Sequence, residues 1–387
     1  MRTKAKAKGK GQKAKMTNGK AQNPINKSQR ATGWTGEPSN RRTGRPADWR
    51  TGIDLRSCDL RLAAFFAGMI AFLTLLFPLE AWAHHGGVSL PFGPGTPVET
   101  NAPLTLPEGG VVLSGRVEQV EWRKFQSAEP ANKESFTFLN LGLSYGFKPY
   151  LTGSIFLPYN IKREESFGSN RGIGDVRLMG ILGFNHDGSG LRLNSVGETA
   201  ITLEGQKKTF FSFYGGFTFP TGKTKEALGG QVDPSMQPGF GSPSFTVGFN
   251  AARALLRSLS LIFDTAYDIF TERDNFKFAN EWRVNLAGVY ELYGKPEKFI
   301  SKVDGVLEVN FLNIGRDEQG GEKLRATGGN ILYLSPGLRF AFPKLQNANL
   351  GILVKIPVYK RLNEQDEQQG SEGLEKYRVI ATLSFYF

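Results

Sequence analysis

The chain has 387 residues with 47 glycines and 30 phenylalanines, a bias that suits a β architecture more than a helical enzyme. Its formal net charge of +12 is uneven: residues 1–83 hold sixteen Lys/Arg against five Asp/Glu, and the rest is close to neutral. That removes the main support for nucleic-acid binding by the body of the chain. The single cysteine, Cys58, excludes disulfides and cysteine-ligated metals beyond residue 83.

In chain order, residues 1–57 begin with a low-complexity basic run (KAKAKGKGQKAK) and continue rich in Gly, Asn, Pro and Arg. Such a stretch buries too little apolar surface to offset its ordering entropy and reads as a disordered basic leader. Residues 58–83 read as a signal peptide. Arg56 and Arg61 flank an apolar run from Leu62 to Leu79, which gives way to Ala81-Trp82-Ala83. Basic flank, apolar core and small-x-small ending predict cleavage after Ala83. A retained anchor is the rival reading, because the run is long enough to span a membrane. Pro78 beside the small residues favours cleavage.

Cleavage exposes His84-His85 as the new N-terminus. A free α-amine with one or two imidazoles can chelate Cu(II) or Ni(II), so His84 and His85 are the candidate metal ligands. The plainer alternative is two histidines that happen to follow the cleavage point, since no further ligand cluster accompanies them. No cofactor is implied. The Gly/Pro-rich stretch up to Gly110 lacks helical periodicity. Residues 84–110 are therefore expected as a periplasmic or plug-like segment, either below a barrel or tucked into its mouth.

From Val111 to Phe387 the chain breaks into alternating segments: 111–125, 135–147, 149–162, 172–185, 208–219, 243–252, 257–270, 275–291, 302–315, 329–342, 348–361 and 375–387. A period of two collects the apolar side chains on one face, as with Leu139, Leu141, Leu143, Tyr145 and Phe147. The seventh segment groups Leu259, Leu261 and Phe263 in this way, and the eighth Phe276, Phe278 and Trp282. Links after segments two, six and ten are short, and those after three, five, nine and eleven are long and polar. Outer-membrane barrels show this parity, with short periplasmic turns and long outer loops. Residues 186–207 are long for a periplasmic turn and leave room for another hairpin, so the expected count is 12–14 strands.

The last segment, EKYRVIATLSFYF, sets Tyr377, Val379, Ala381, Leu383, Phe385 and Phe387 against Arg378, Ile380, Thr382, Ser384 and Tyr386. An open sheet edge cannot persist in lipid, so this strand is expected to close a transmembrane antiparallel β-barrel. An edge strand of a soluble sandwich is the alternative. The terminal aromatic, Phe387, resembles the assembly signal of Gram-negative outer-membrane proteins, which implies the barrel-assembly machinery as a partner.

With the apolar face toward lipid, the other face puts Asp175, Arg177, Asp264, Asp268, Glu281 and Arg283 in the lumen, followed by Glu308, Arg339, Lys355 and Arg378. Acids concentrate on segments seven to nine and bases on ten to twelve. Buried charges need partners or water. The set reads either as a salt-bridge network or as a constriction that screens solutes. The expected partners of Arg339, Lys355 and Arg378 are Asp264, Asp268, Glu281 and Glu308. A barrel hydrolase would need a base beside its nucleophile, and His186 falls at a turn, so the chain is not expected to be an enzyme. Gly172-Ile173-Gly174-Asp175 is too short for a phosphate cradle and reads as a bulge or kink.

Two stretches carry a family resemblance. One is LNLGLSYGFKPYLTGSIFLPY with RGIGDVRLMGILGF; the other is FTFPTGKTK with GFGSPSFTVGFNAAR. They resemble the outer-membrane meta-pathway phenol-degradation ("transporter") β-barrel family. The resemblance implies a barrel that moves small organic or aromatic compounds; it assigns no functional residue. The reading is one outer-membrane barrel of a Gram-negative bacterium over 111–387, contacting outer-membrane lipid. It would act as a passive channel or facilitator for small hydrophobic or aromatic solutes. A non-transporting structural or metal-linked accessory barrel is the alternative, with a barrel hydrolase behind it. Protein isolated from outer membranes should begin at His84. An intact mass that retains residues 1–83 would remove both the cleavage and the amine-linked metal site.

Overall fold

The computed structural model describes residues 96–124, 133–166, 168–196, 208–230, 232–363 and 375–387. The leader, the signal segment, the cleavage site and His84-His85 lie outside them. Wherever polarity alternates, a strand forms: β1 (Val111–Trp122), β2 (Glu134–Lys148), β3 (Leu151–Glu164), β4 (Gly168–Ile173 continued by Arg177–His186), β5 (Thr209–Thr218) and β6 (Ser244–Leu256). The second half comprises β7 (Leu259–Phe270), β8 (Glu281–Gly294), β9 (Lys302–Ile314), β10 (Gly329–Phe342), β11 (Ala348–Leu362) and β12 (Glu375–Tyr386). Each strand pairs antiparallel with the next, and β12 returns to β1, closing a twelve-stranded barrel.

The seam runs from Val112↔Tyr386 to Trp122↔Glu375. It ends where Val111 N–H donates to Phe387 O at 3.1 Å and Phe387 N–H donates to Val111 O at 2.9 Å. Closure satisfies backbone groups that an open edge would leave bare. The stretch 186–207 adds no crossing strand among the described residues; only Leu191–Leu193 pairs with the end of β4. The eighth strand starts at Glu281, later than expected. Asp274 and Asn275 take positive φ (50° and 64°) and turn the chain back, so Phe276–Lys277 pairs with Glu318–Gln319 outside the barrel.

Exposed and buried positions alternate as the strand period requires. In β1, Leu113 and Val117 face out while Val112, Ser114, Arg116, Glu118 and Val120 are buried. Two side chains expected on the outer apolar face are buried instead. Leu259 opens its strand opposite Tyr290. Phe278 precedes β8 and packs its ring against Phe240 (5.3 Å) and Phe270 (6.3 Å).

The interior has three tiers. Near the rim that carries Val111 and Phe387, the inward residues Val112, Phe156, Ile181, Phe210, Ile262 and Val289 form one apolar cluster. Near the opposite rim, Val120, Trp122, Phe136 and Phe138 surround Met236 of the 219–243 loop. Charged and amide side chains occupy the middle and reach the chain-end rim at Lys302, Asp304 and Asn349.

The 219–243 loop reaches those inward residues because a break in β4 anchors it. Pairing with β3 stops at Ile173 and resumes at Arg177. In the gap, Asp175 accepts from Gly222 N–H (2.7 Å), Phe240 N–H (2.6 Å) and Gly241 N–H (3.3 Å). Thr221 Oγ1 accepts from Val176 N–H at 3.0 Å. Gly222 and Gly239 permit the approach, since a Cβ on Gly222 would lie 2.8 Å from Gly239 Cα. Lys162 Nζ and Asn160 Nδ2 then hold the loop through Ser235 O (2.5 Å) and Pro238 O (2.6 Å). Asp175→Ala strands three donors, one buried and two part-buried, at a cost of up to about 1–3 kcal/mol for each buried group left unsatisfied. Trypsin should then cut after Lys223 or Lys225 several-fold faster while the heat-modifiable barrel band persists.

Candidate functional site: the barrel lumen

Residues 96–107 (TPVETNAPLTLP) contain three prolines, which supply no amide donor and forbid a helix. The remaining N–H groups must find acceptors once buried. Val98, Glu99 and Thr100 N–H converge on the Glu308 carboxylate at 2.8, 2.9 and 2.7 Å, and Thr100 Oγ1 adds a fourth bond at 2.5 Å. Leu106 N–H donates to Thr152 Oγ1 at 2.8 Å, and Thr105 Oγ1 to Pro149 O at 2.5 Å. The segment thus touches inward groups of β3 and β9, and further contacts reach β1, β5, β7, β10 and β11. Only a chain inside the barrel can do this.

The wall is shaped for it. A Cβ on Gly146 would lie 2.0 Å from Pro107 O, and one on Gly183 would lie 2.7 Å from Thr105 Cγ2. Ala102, Leu104 and Leu106 join the apolar cluster near the chain-end rim, and Val98 packs with Leu353 and Ile380. At roughly 25 cal/mol per Å2 of apolar surface, several fully buried side chains anchor the segment as firmly as its hydrogen bonds do.

Charges at mid-lumen alternate in sign around the seam. Glu99 meets Lys355 at 2.9 Å and Arg116 at 2.6 Å; Arg116 meets Glu118 at 2.8 Å. Glu118 meets Arg378 at 2.9 Å, and Arg378 meets Glu375 at 2.6 Å. Burial opposes the charge on Glu99, but Lys355 and Arg116 outweigh it and hold this carboxyl below the usual carboxylate range. Lys355 Nζ also sits 4.5 Å from the centre of the Tyr333 ring, whose hydroxyl donates to Glu375 at 2.9 Å.

A second network crosses the far wall. Ser335 Oγ donates to Asn310 (2.7 Å), Asn310 to Asn285 (3.2 Å), and Asn285 to Asp264 (2.9 Å). Tyr214 OH completes it with Asp264 at 2.7 Å. Tyr214 lies on β5 and reaches β7 across Gly248 of β6, where a Cβ would fall 2.1 Å from the ring. Arg283 pairs with Asp268, which also accepts from Thr246 Oγ1.

Of the residues singled out from sequence, Lys355 and Arg378 join the network around the seam and Asp264 the one on the far wall. Asp264, Asp268, Glu281, Glu308, Arg339, Lys355 and Arg378 are all buried. Arg177 Nε donates to Thr218 Oγ1 at 3.0 Å, whereas Asp175 serves the loop latch. The expected pairing of Lys355 and Arg378 with acids of β7–β9 is corrected. Glu99 takes Lys355, and Glu118 and Glu375 take Arg378, because β12 closes onto β1 and the segment enters the lumen. Arg339 donates to Pro97 O at 2.5 Å. Sequence reasoning missed Glu99, Arg116, Glu118, Glu375 and Tyr214. Arg116 and Glu118 follow the same alternation in β1; Glu99 sits in an aperiodic stretch that carries no such signal. Phe387 is exposed at the rim, and His186 ends β4 with its Nδ1 accepting from Gly188 N–H at 3.3 Å. Among the described residues no cluster of His, Cys, Asp and Glu is arranged to hold a metal.

A closed twelve-stranded antiparallel barrel with an apolar outer face defines a β-barrel of the membrane-spanning class. Residues 150–365 match the family described as "Putative MetA-pathway of phenol degradation", and the chain belongs to that family. No curated protein matches the chain in sequence. Among solved structures it is similar to the COG4313 outer membrane channel from Pseudomonas putida F1, with TM-score 0.55 and 12% identity over 73% of this chain and 97% of that one. The toluene transporter TodX of Pseudomonas putida aligns over 78% of this chain and 99% of its own, at TM-score 0.37 and 9% identity. The β domain of the Bordetella autotransporter BrkA aligns over 72% and 100%, at 0.41 and 9%. Only the first supports the fold.

Glu308→Gln removes the charge from four hydrogen bonds, each worth about 1.5–3 kcal/mol when the acceptor is ionised. Amide exchange at Val98, Glu99 and Thr100 should quicken by an order of magnitude or more, while the β1–β12 seam keeps its protection.

Proposed function

We propose that this protein is an outer-membrane channel of a Gram-negative bacterium that lets small hydrophobic or aromatic organic solutes pass by passive diffusion. The observation that carries the reading is the filling of the lumen. Each end of the interior carries an apolar cluster, and a short segment with its own apolar side chains joins the one near the chain-end rim. A lumen built for hydrated ions would present polar groups along its length. Here the mid-lumen charges neutralise one another, and the ends offer surfaces that suit an apolar solute. The family description, which concerns phenol, agrees with an aromatic cargo.

In this reading 96–107 is a plug. Its displacement exposes Arg339, Lys355 and Arg378 on one side and Asp264, Asp268, Glu281, Arg283 and Glu308 on the other as a constriction. The outer apolar face meets outer-membrane lipid, and Phe387 serves the barrel-assembly machinery. No step requires catalysis.

Purified protein in planar bilayers should conduct weakly. Lys355→Glu places a second anion beside Glu99, repels the segment, and should raise open probability and shift ion selectivity toward cations. Uptake of a labelled monoaromatic across lipopolysaccharide-bearing membranes should be faster with the barrel than without it. Equal uptake with and without protein, for wild type and Lys355→Glu alike, would favour the non-transporting barrel.

A further inference from the structure

The rim that carries Val111 and Phe387 is asymmetric in charge. In one sector its cations are answered: Lys148 meets Glu108 at 2.7 Å, and Arg192 pairs with Asp187. The other sector comprises three successive turns on that rim, between β6 and β7, β8 and β9, and β10 and β11. These turns and the strand ends beside them carry Arg253, Arg257, Lys295, Lys298 and Lys344, all exposed. None of the five pairs with a carboxylate of the described residues. Lys295 only overlies the Tyr293 ring at 6.0 Å. The same turns and strand ends also carry the exposed Glu297, and Glu291 and Asp304, both of which face Lys302 (3.9 and 3.1 Å).

The same turns expose large apolar side chains. Leu256 is 62% exposed and Phe299 60%, and Leu255, Leu292, Ile300 and Leu345 are also exposed. Apolar residues interleaved with unpaired cations at a barrel rim match one environment. The apolar parts sit among acyl chains, and the long basic side chains extend to the phosphate level. Water alone would leave this apolar surface unexplained. A zwitterionic headgroup layer would leave the excess of positive charge unanswered.

We propose that the β6–β11 sector of this rim binds the headgroups of anionic phospholipids, with the phosphates held by Arg253, Arg257, Lys295, Lys298 and Lys344. The inference rests on the reading of this rim as periplasmic, because the leaflet on that side is the phospholipid one. Bound lipid would fix the depth and tilt of the three turns.

The test uses the whole barrel in mixed micelles containing phosphatidylglycerol and phosphatidylcholine, with retained lipid read by native mass spectrometry. Wild type should retain phosphatidylglycerol over phosphatidylcholine by at least about tenfold, and the preference should fall with added salt. A variant with all five cations changed to Gln should lose the preference. Lys148→Gln with Arg192→Gln, in the paired sector, should keep it. Heat-modifiable mobility and conductance in phosphatidylcholine alone report separately on whether each variant is a folded barrel and whether the channel reading stands. Equal retention of both lipids by wild type, or an undiminished preference in the folded five-site variant, would overturn the proposal.

Discussion

The fully buried Glu308 carboxylate sets the constraint from which the arrangement of the lumen follows. An ionised group so placed is tolerated only when its lone pairs are filled. Here they are filled by three consecutive main-chain N–H groups and a hydroxyl from a segment more than two hundred residues earlier. The segment has the complementary need, since its prolines rule out a ladder of its own and its buried donors require an acceptor. Each side makes the other affordable. Once Val98 to Thr100 are fixed, Glu99 falls between Lys355 and Arg116, and the alternating charges around the seam become neutral.

Glycine decides where the barrel can be filled. Gly146 and Gly183 make room for the segment, and Gly248 lets the Tyr214 ring lie across a strand to Asp264. The break in β4 works at the opposite mouth, where Asp175 draws two parts of one loop together. The interior is therefore closed from both sides by different means, a carboxylate-held strap and an Asp-held loop.

Most of the barrel was legible because one rule, alternation, repeats twelve times. The last strand announced closure, and strand ends fell within a few residues except where Asp274 and Asn275 turn the chain early. The same rule singled out several charges of β7 to β12 that are buried, but not Glu375, Lys302 or Asp304. The partners of those singled out were missed, because closure places β1 beside β12, and a list of strands in chain order hides that neighbour. Glu99 was illegible for a different reason. Nothing in an aperiodic Pro-rich stretch marks which of its residues meets Lys355 until the stretch is seen inside the lumen. The motifs Gly172-Ile173-Gly174-Asp175 and Pro220-Thr221-Gly222 were visible as resemblance, yet their physical meaning appears only when Thr221 and Gly222 meet the Asp175 break.

The central claim is that passage through the barrel requires residues 96–107 to move. Val98 packs with Leu353 inside the lumen, and the one native cysteine, Cys58, lies far upstream in the chain. A Val98→Cys, Leu353→Cys pair can therefore tether the segment to β11 when oxidised and release it when reduced. Uptake of a monoaromatic through the reduced protein should match wild type, and oxidation should abolish it reversibly. Equal uptake in the two redox states, with the disulfide verified by mass, would contradict the account.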